Sequence, residues 1–128
     1  MKKLFIMSIL TVFTSLLGCA QEPSFKSVEV SEFEQIISNP EIIRLDVRRA
    51  DEYAEGQLEN TLNIDVLKND FKELALQKLD KNKTIALYCR SGRRSKQAAQ
   101  ILIAEGYTII ELNTGYMGWT GAGKPTVK

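Results

Sequence analysis

The chain has 128 residues, of which 26% are charged, and its net charge is +1 from 17 basic and 16 acidic side chains. A charge balance so close to zero disfavours nucleic acid as a partner. Histidine is absent from the sequence, which excludes Cys-His pairs, Ser-His-Asp triads and histidine metal clusters. Any reactive side chain must therefore be activated by its local surroundings.

The N-terminal segment has the pattern of a secretory signal peptide. Lys2 and Lys3 precede an apolar stretch at residues 4–17, which as a helix of about 1.5 Å per residue is too short to cross the roughly 30 Å hydrocarbon core. The stretch runs directly into Cys19 through the sequence LLGC, which resembles the lipobox of bacterial lipoproteins, whose cysteine becomes the lipid-modified first residue. Cleavage after Ala20 without lipid is the alternative. We therefore predict a lipoprotein signal peptide at residues 1–18 and lipidation of Cys19.

A lipid on Cys19 would tether the protein to a membrane. Residues 19–27 are polar, contain Pro23 and lack periodicity, as expected of a tether, and a single domain is predicted at residues 28–128. The lipoprotein resemblance implies the bacterial cell envelope, with the domain outside the cytoplasm. Ala20 stands where an aspartate would retain an enteric lipoprotein at the inner membrane, which favours the outer membrane.

Strands and helices alternate along the predicted domain. A short strand at residues 28–30 precedes a helix that Ser31 and Glu34 would open as a capping box. Further strands are predicted at residues 41–47, 62–64, 84–88 and 107–112. Further helices are predicted at residues 50–55 and 70–79 and from Ser95 onwards, with Gly106 as the C-terminal cap of the last one. The alternation predicts an α/β domain of three layers, with a central, mostly parallel sheet flanked by helices.

Cys89 directly follows a continuous apolar run, the pattern of a strand buried on both faces of a parallel sheet. Ligands of such sheets gather beyond the carboxyl ends of strands, and the free amides of a loop and of the next helix attract anions. These amides, with Arg90, Arg93 and Arg94, should favour the thiolate of Cys89, and Gly92 allows a tight turn. The pattern predicts a nucleophilic cysteine that handles an anion. The alternative is a buried, inert cysteine beside solvated arginines.

Four segments of the sequence resemble the rhodanese family of sulfurtransferases. They are residues 45–53 (LDVRRADEY) with Gly56, residues 63–64 (NI), residues 88–95 (YCRSGRRS), and residues 115–119 (GYMGW) with residues 121–125. Departures from the family pattern at Gln57, residues 59–61 and Tyr116 lie outside the loop that follows Cys89. The resemblance implies a rhodanese-like three-layer fold around a five-stranded sheet.

The resemblance also implies sulfur transfer by double displacement. The Cys89 thiolate would take sulfur from a small anionic donor, thiosulfate or a persulfide, and pass it from a Cys89 persulfide to a thiol or to cyanide. Asp46 and Arg48 would support the loop rather than react, with an ordinary surface ion pair as the alternative, and Trp119 would be core or pocket wall. No metal or organic cofactor is required. The persulfide cradle and donor site would be formed by Arg90, Ser91, Gly92, Arg93, Arg94 and Ser95.

Two other functions remain open from the sequence. The chain could be a module that senses sulfur or redox state at Cys89 without multiple turnover. It could also be a phosphatase or arsenate reductase on the same scaffold. Related phosphatases carry an arginine at the seventh position of the loop, where it clamps phosphoryl oxygens, and here that position is Ser95. The six-residue loop from Cys89 to Arg94 therefore favours sulfur transfer.

Overall fold

The computed structural model describes residues 24–128, so the predicted signal peptide, Cys19 and the first part of the predicted tether lie outside the described residues. Strands and helices alternate in this part of the chain. The strands are β1 (Lys26–Val28), β2 (Ile43–Asp46), β3 (Thr61–Asn63), β4 (Thr84–Tyr88) and β5 (Thr108–Leu112). The helices are α1 (Val30–Ile37), α2 (Ala50–Glu55), α3 (Phe71–Lys78), α4 (Arg93–Ala104) and α5 (Gly115–Gly121). None of these helices is long and apolar enough to cross a membrane.

The five strands form one sheet in the order β1-β5-β4-β2-β3, and every neighbouring pair is parallel. The prediction of an α/β fold with a five-stranded sheet is confirmed. Because β4 is the central strand, its carboxyl end lies between the carboxyl ends of β2 and β5. The segments that follow these three strands therefore meet at one edge of the sheet.

Side chains alternate between the two faces of the sheet and form two separate cores. Ile85 and Leu87 of β4 join the core on the face covered by α3 and α4. Ala86 and Tyr88 join the core on the other face, together with Phe33 of α1 and Trp119 of α5. The three-layer prediction and the core position of Trp119 are thereby confirmed.

Some element boundaries differ from the predictions. β1 begins at Lys26 and so occupies the end of the predicted tether. The predicted capping box at Ser31 is wrong, because α1 begins at Val30 with Glu29 at its N-cap and no capping side-chain hydrogen bond. α4 begins at Arg93 rather than Ser95 because Gly92 already completes the turn. α5 was not predicted, since its three glycines weaken the helical pattern.

Candidate functional site

Cys89 is the first residue after β4, and the alternation of that strand decides where its side chain lies. Cys89 continues the row of Ile85 and Leu87, joins the core beneath α4 and is 1% exposed. Its Sγ accepts a hydrogen bond from the backbone N–H of Gly92 at 3.1 Å. The thiol therefore lies inside its own loop, at the start of α4, where backbone amides stabilise negative charge.

Gly92 makes the turn that returns the chain over Cys89. Its φ is +103°, a left-handed conformation that glycine adopts readily, and a Cβ here would lie 2.0 Å from the carbonyl oxygen of Asn113. α4 begins at the next residue. Three residues of the predicted cradle, Arg93, Arg94 and Ser95, consequently belong to the first turn of α4 rather than to a loop.

The start of α5 holds the outer side of the loop. The N–H of Tyr116 donates to the carbonyl oxygen of Cys89 at 2.8 Å, and the N–H of Met117 donates to that of Arg90 at 2.9 Å. Gly115, with φ of +65°, allows this close approach, because a Cβ there would lie 2.5 Å from the carbonyl oxygen of Arg90. The sequence resemblance included this segment but did not reveal that its amides bind the loop.

The three arginines that follow Cys89 have different surroundings. Arg94 donates two hydrogen bonds to the carboxylate of Glu52, at 2.7 and 3.1 Å. These bonds raise the pKa of Arg94 and lower the pKa of Glu52. Arg90 and Arg93 are exposed and form no ion pair within residues 24–128. Two of the three predicted donor-binding arginines are therefore available to an anion, and Ser91 between them is also exposed.

Asp46 and Arg48 form a buried ion pair, not an ordinary surface one. The Asp46 side chain is 0% exposed and that of Arg48 is 3% exposed, and the shortest contact is 2.7 Å. Desolvation is the largest single influence on Arg48 and opposes its charged form, but the hydrogen bond to Asp46 and the nearby negative charges together outweigh it, so the pKa of Arg48 is raised. Arg48 also donates to the carbonyl oxygen of Gly56 at 2.7 Å and lies 4.2 Å from the ring centroid of Tyr116. The pair thus connects the end of β2 to the helix that holds the loop.

Glu111 is a buried carboxylate that the sequence analysis missed. It is 0% exposed and accepts hydrogen bonds from Ser95 at 2.5 Å, Ser27 at 2.6 Å and Lys96 at 3.1 Å. The signal was present in the sequence, because Glu111 falls on the same face of β5 as Ile109, where an apolar side chain is expected. Ser95, a predicted cradle residue, is thereby bound to the sheet through its hydroxyl group.

A cavity of about 170 Å³ adjoins the loop and is lined by Arg48, Glu52, Glu55, Gly56, Arg90 and Tyr116. Its volume suits a small molecule of a few heavy atoms. α2 contributes two carboxylates to this cavity, which the basic run in the sequence did not reveal. Within residues 24–128, no three Cys, Asp or Glu side chains lie close enough together to hold a metal ion.

Comparison with known proteins agrees with this geometry. The family model of the rhodanese-like domain matches residues 29–122. The thiosulfate sulfurtransferase PspE of Escherichia coli (strain K12) is 38% identical over 84 residues, which cover 66% of this chain and 77% of PspE. The thiosulfate sulfurtransferase GlpE of Coxiella burnetii (strain RSA 331 / Henzerling II) is 29% identical over 97 residues, covering 74% of this chain and 87% of GlpE.

A solved structure shows the same likeness. The crystal structure of a rhodanese-related protein from Thermoplasma volcanium superposes with a TM-score of 0.72 and 27% identity, covering 80% of this chain and 98% of that one. The family model spans every strand from β2 to β5 and the loop that holds Cys89. The chain therefore belongs to the rhodanese-like domain family.

Proposed function

We propose that this protein is a sulfurtransferase that carries sulfane sulfur on Cys89. The Cys89 thiolate attacks the outer sulfur of thiosulfate, a new S–S bond forms, and the bond to the sulfonate sulfur breaks so that sulfite leaves with the electron pair. A persulfide donor reacts in the same way and releases a thiolate. A thiol or cyanide then attacks the terminal sulfur of the persulfide and regenerates the Cys89 thiolate.

The observation that carries the proposal is the hydrogen bond from the Gly92 N–H to Cys89 Sγ at 3.1 Å. Through this bond, the turn into α4 directs one backbone amide at the sulfur. The terminal sulfur of a persulfide bears the negative charge that such amides stabilise. The names of the two thiosulfate sulfurtransferases above support thiosulfate as a donor.

Arg90 and Arg93 are the side chains that we assign to donor attraction. Both are exposed, whereas Arg94 is bound to Glu52. An exposed guanidinium attracts an anion through the solvent, with an effect that weakens as ionic strength rises. We expect Arg90→Gln and Arg93→Gln to raise the KM for thiosulfate more than they lower kcat, and Arg49→Gln to serve as the matched surface control.

Steady-state formation of thiocyanate from thiosulfate and cyanide tests the proposal. The protein should turn over many times per molecule, and Cys89→Ser should abolish the product. Substituting an organic persulfide for thiosulfate in the same assay identifies the preferred donor class. Wild-type protein that forms no product with any sulfane donor and acceptor would contradict a catalytic role.

The burial of Cys89 favours a second candidate, a sulfur- or redox-sensing module. A side chain that is 1% exposed could retain an acquired sulfur and signal it to a partner instead of releasing it. A single turnover with a long-lived persulfide would support this candidate, whereas rapid repeated turnover would exclude it. A phosphatase is less favoured, because Ser95 at the clamp position binds the carboxylate of Glu111.

We further propose that Cys19 carries a lipid and that the protein is anchored in the bacterial cell envelope. The support is the sequence pattern at residues 1–19, which lies outside the described residues. Metabolic labelling with a radioactive fatty acid, followed by membrane fractionation, tests this. The wild type should be labelled and sediment with membranes, and Cys19→Ala should lose both properties.

A further inference from the structure

Glu111 takes no part in the proposed reaction, yet hydrogen bonds connect it to the turn that surrounds Cys89. Glu111 Oε2 accepts hydrogen bonds from Ser95 and from Lys96 Nζ, at 2.5 and 3.1 Å. Lys96 Nζ also donates to the carbonyl oxygen of Gly92 at 3.1 Å and to Asn113 Oδ1 at 2.9 Å. One buried carboxylate is therefore linked, through the side chain of Lys96, to the carbonyl group of Gly92, the residue whose N–H binds Cys89 Sγ.

The geometry of the peptide bond gives this link a consequence. In a planar trans peptide, the carbonyl of Gly92 and the N–H of Arg93 point in opposite directions. Gly92 is the N-cap residue of α4 and its carbonyl oxygen accepts a hydrogen bond from Lys96 Nζ at 3.1 Å. Helix geometry leaves the N–H of Arg93 among the first-turn amides that face out of the start of α4 without an intrahelical partner, and the bond from Lys96 restrains this peptide. Ser95 fixes the same turn of α4 to β5 at a second point.

Burial makes this arrangement well defined. The side chain of Glu111 is 0% exposed, whereas that of Lys96 is 43% exposed. The carboxylate is therefore held in place by the surrounding core, and its ion pair with Lys96 restrains the more exposed side chain. Hydrogen bonds to a charged group shielded from water are stronger than those in water. Burying the carboxylate of Glu111 also costs free energy. An apolar side chain would fill this position on the core face of β5 without that cost.

We propose that Glu111 is a positioning residue that acts through Lys96 and Ser95 to hold the first-turn amides of α4 towards the sulfur of Cys89. The inference rests on the proposed sulfur transfer for its kinetic consequence. The effect of Glu111 on the resting site, where positioned amides stabilise the Cys89 thiolate, does not depend on sulfur transfer. The two can therefore be tested separately.

The variants are Glu111→Gln, Lys96→Met and Ser95→Ala, with Ser27→Ala as the matched control. Ser27 lies on β1 and donates to the other carboxylate oxygen, Glu111 Oε1, at 2.6 Å. The control thus removes a hydrogen bond to the same buried carboxylate without touching α4. Lys96→Met changes a partly exposed side chain, so it reports on the site even if the buried substitution at Glu111 prevents folding.

The expected result is a fall in kcat of about tenfold for Glu111→Gln, Lys96→Met and Ser95→Ala, with the KM for thiosulfate changed by less than about twofold. Misplaced groups slow the reaction without removing the donor site. The fraction of Cys89 that carries sulfur at a fixed thiosulfate-to-sulfite ratio, measured by mass spectrometry, should fall in the same variants. Ser27→Ala should match the wild type in both measurements.

Alkylation of resting Cys89 by iodoacetamide at neutral pH supplies the readout that needs no sulfur. Glu111→Gln and Lys96→Met should react more slowly than Ser27→Ala. In these two variants the amides stabilise the Cys89 thiolate less, so a smaller fraction of Cys89 is in the reactive thiolate form. Equal alkylation rates and equal kcat in all four variants would overturn the positioning role. A wild type that never acquires sulfur, combined with slower alkylation in the two variants, would overturn the proposed function and support the positioning role.

Discussion

Arg94 and Glu52 form an ion pair with two hydrogen bonds, at 2.7 and 3.1 Å, that joins the first turn of α4 to α2. The side chains are 17% and 10% exposed, so the pair is largely shielded from water. The carboxylate of Glu52 also accepts the backbone N–H of Arg49 at 3.2 Å, at the start of α2. The side chain of Glu52 therefore caps α2 and also neutralises Arg94 in the first turn of α4.

Glu52→Gln should destabilise the fold at neutral pH by about 1–2 kcal/mol, because it removes the charge from a shielded pair. Urea unfolding at pH 7 measures this free energy. Glu59→Gln is a suitable control, since Glu59 is exposed and forms no ion pair within residues 24–128. Equal unfolding free energies for the wild type and Glu52→Gln would contradict a stabilising role for the pair.

The same pair predicts how stability depends on pH. The pKa of Glu52 is lowered in the folded state, first by its hydrogen bond to Arg94. Its contribution is therefore fully present above the unfolded-state pKa of about 4.3 and is lost as pH falls through the lower folded-state value. The difference in unfolding free energy between the wild type and Glu52→Gln should shrink below about pH 4. If this difference in unfolding free energy stays constant down to pH 2, the destabilisation by Glu52→Gln arises from packing rather than from the charge of Glu52.

Asp46→Asn should destabilise the protein by about 3 kcal/mol, because it leaves the buried guanidinium of Arg48 without its counter-charge. Asp51→Asn is the matched control, since Asp51 pairs with the neighbouring arginine, Arg49, on an exposed surface. Urea unfolding should separate the two variants clearly, with the control unchanged. A similar loss of unfolding free energy in both variants would mean that burial does not determine how much the Asp46–Arg48 pair stabilises the fold.

Gly115→Ala should lower the sulfur-transfer activity in addition to the thermal stability of the fold. Both Gly115 and Gly106 have positive φ, so alanine at either position is strained. Only at Gly115 would the added methyl group press on the loop, 2.5 Å from the carbonyl oxygen of Arg90, whereas Gly106 has nothing within 4 Å. Thermal unfolding should show losses in both variants, and thiocyanate formation should fall only in Gly115→Ala. Equal activities would contradict the role of α5 in holding the loop.

Cys89 should discriminate thiol reagents by size, because its side chain is 1% exposed beneath the loop. A small reagent such as iodoacetamide should alkylate it, while a bulky aromatic disulfide should react far more slowly in the folded protein. In urea both reagents should react readily. Equal rates in the folded state would show that the loop does not restrict access to the sulfur.

The parts of the fold that depend on local pattern could be predicted from the sequence. The helix at residues 50–55 and the strand at residues 84–88 match the predicted bounds, because Gly56 ends the helix and an uninterrupted apolar run defines the strand. The position of Cys89 at the end of a buried strand followed from the same pattern, whereas the central place of that strand in the sheet is known only from the structure. Periodicity and turn residues are local properties, and here the tertiary structure agrees with them.

The parts that depend on contacts distant in sequence could not be predicted. Arg94 and Glu52 are 42 residues apart, and nothing in the basic loop indicates that one arginine is already neutralised. Glu111 looks unremarkable until the alternation of β5 places it in the core. α5 escaped detection because its stability derives from packing and from its bonds to the loop rather than from helix propensity.

The proposed sulfur transfer requires Cys89 to become a persulfide that the amides of its loop stabilise. Mass spectrometry of the intact protein after brief treatment with thiosulfate detects this persulfide. We predict a gain of one sulfur atom on Cys89, its removal by cyanide with formation of thiocyanate, and no gain in Cys89→Ser. An unchanged mass in the wild type after treatment with thiosulfate and with an organic persulfide would show that Cys89 does not accept sulfane sulfur.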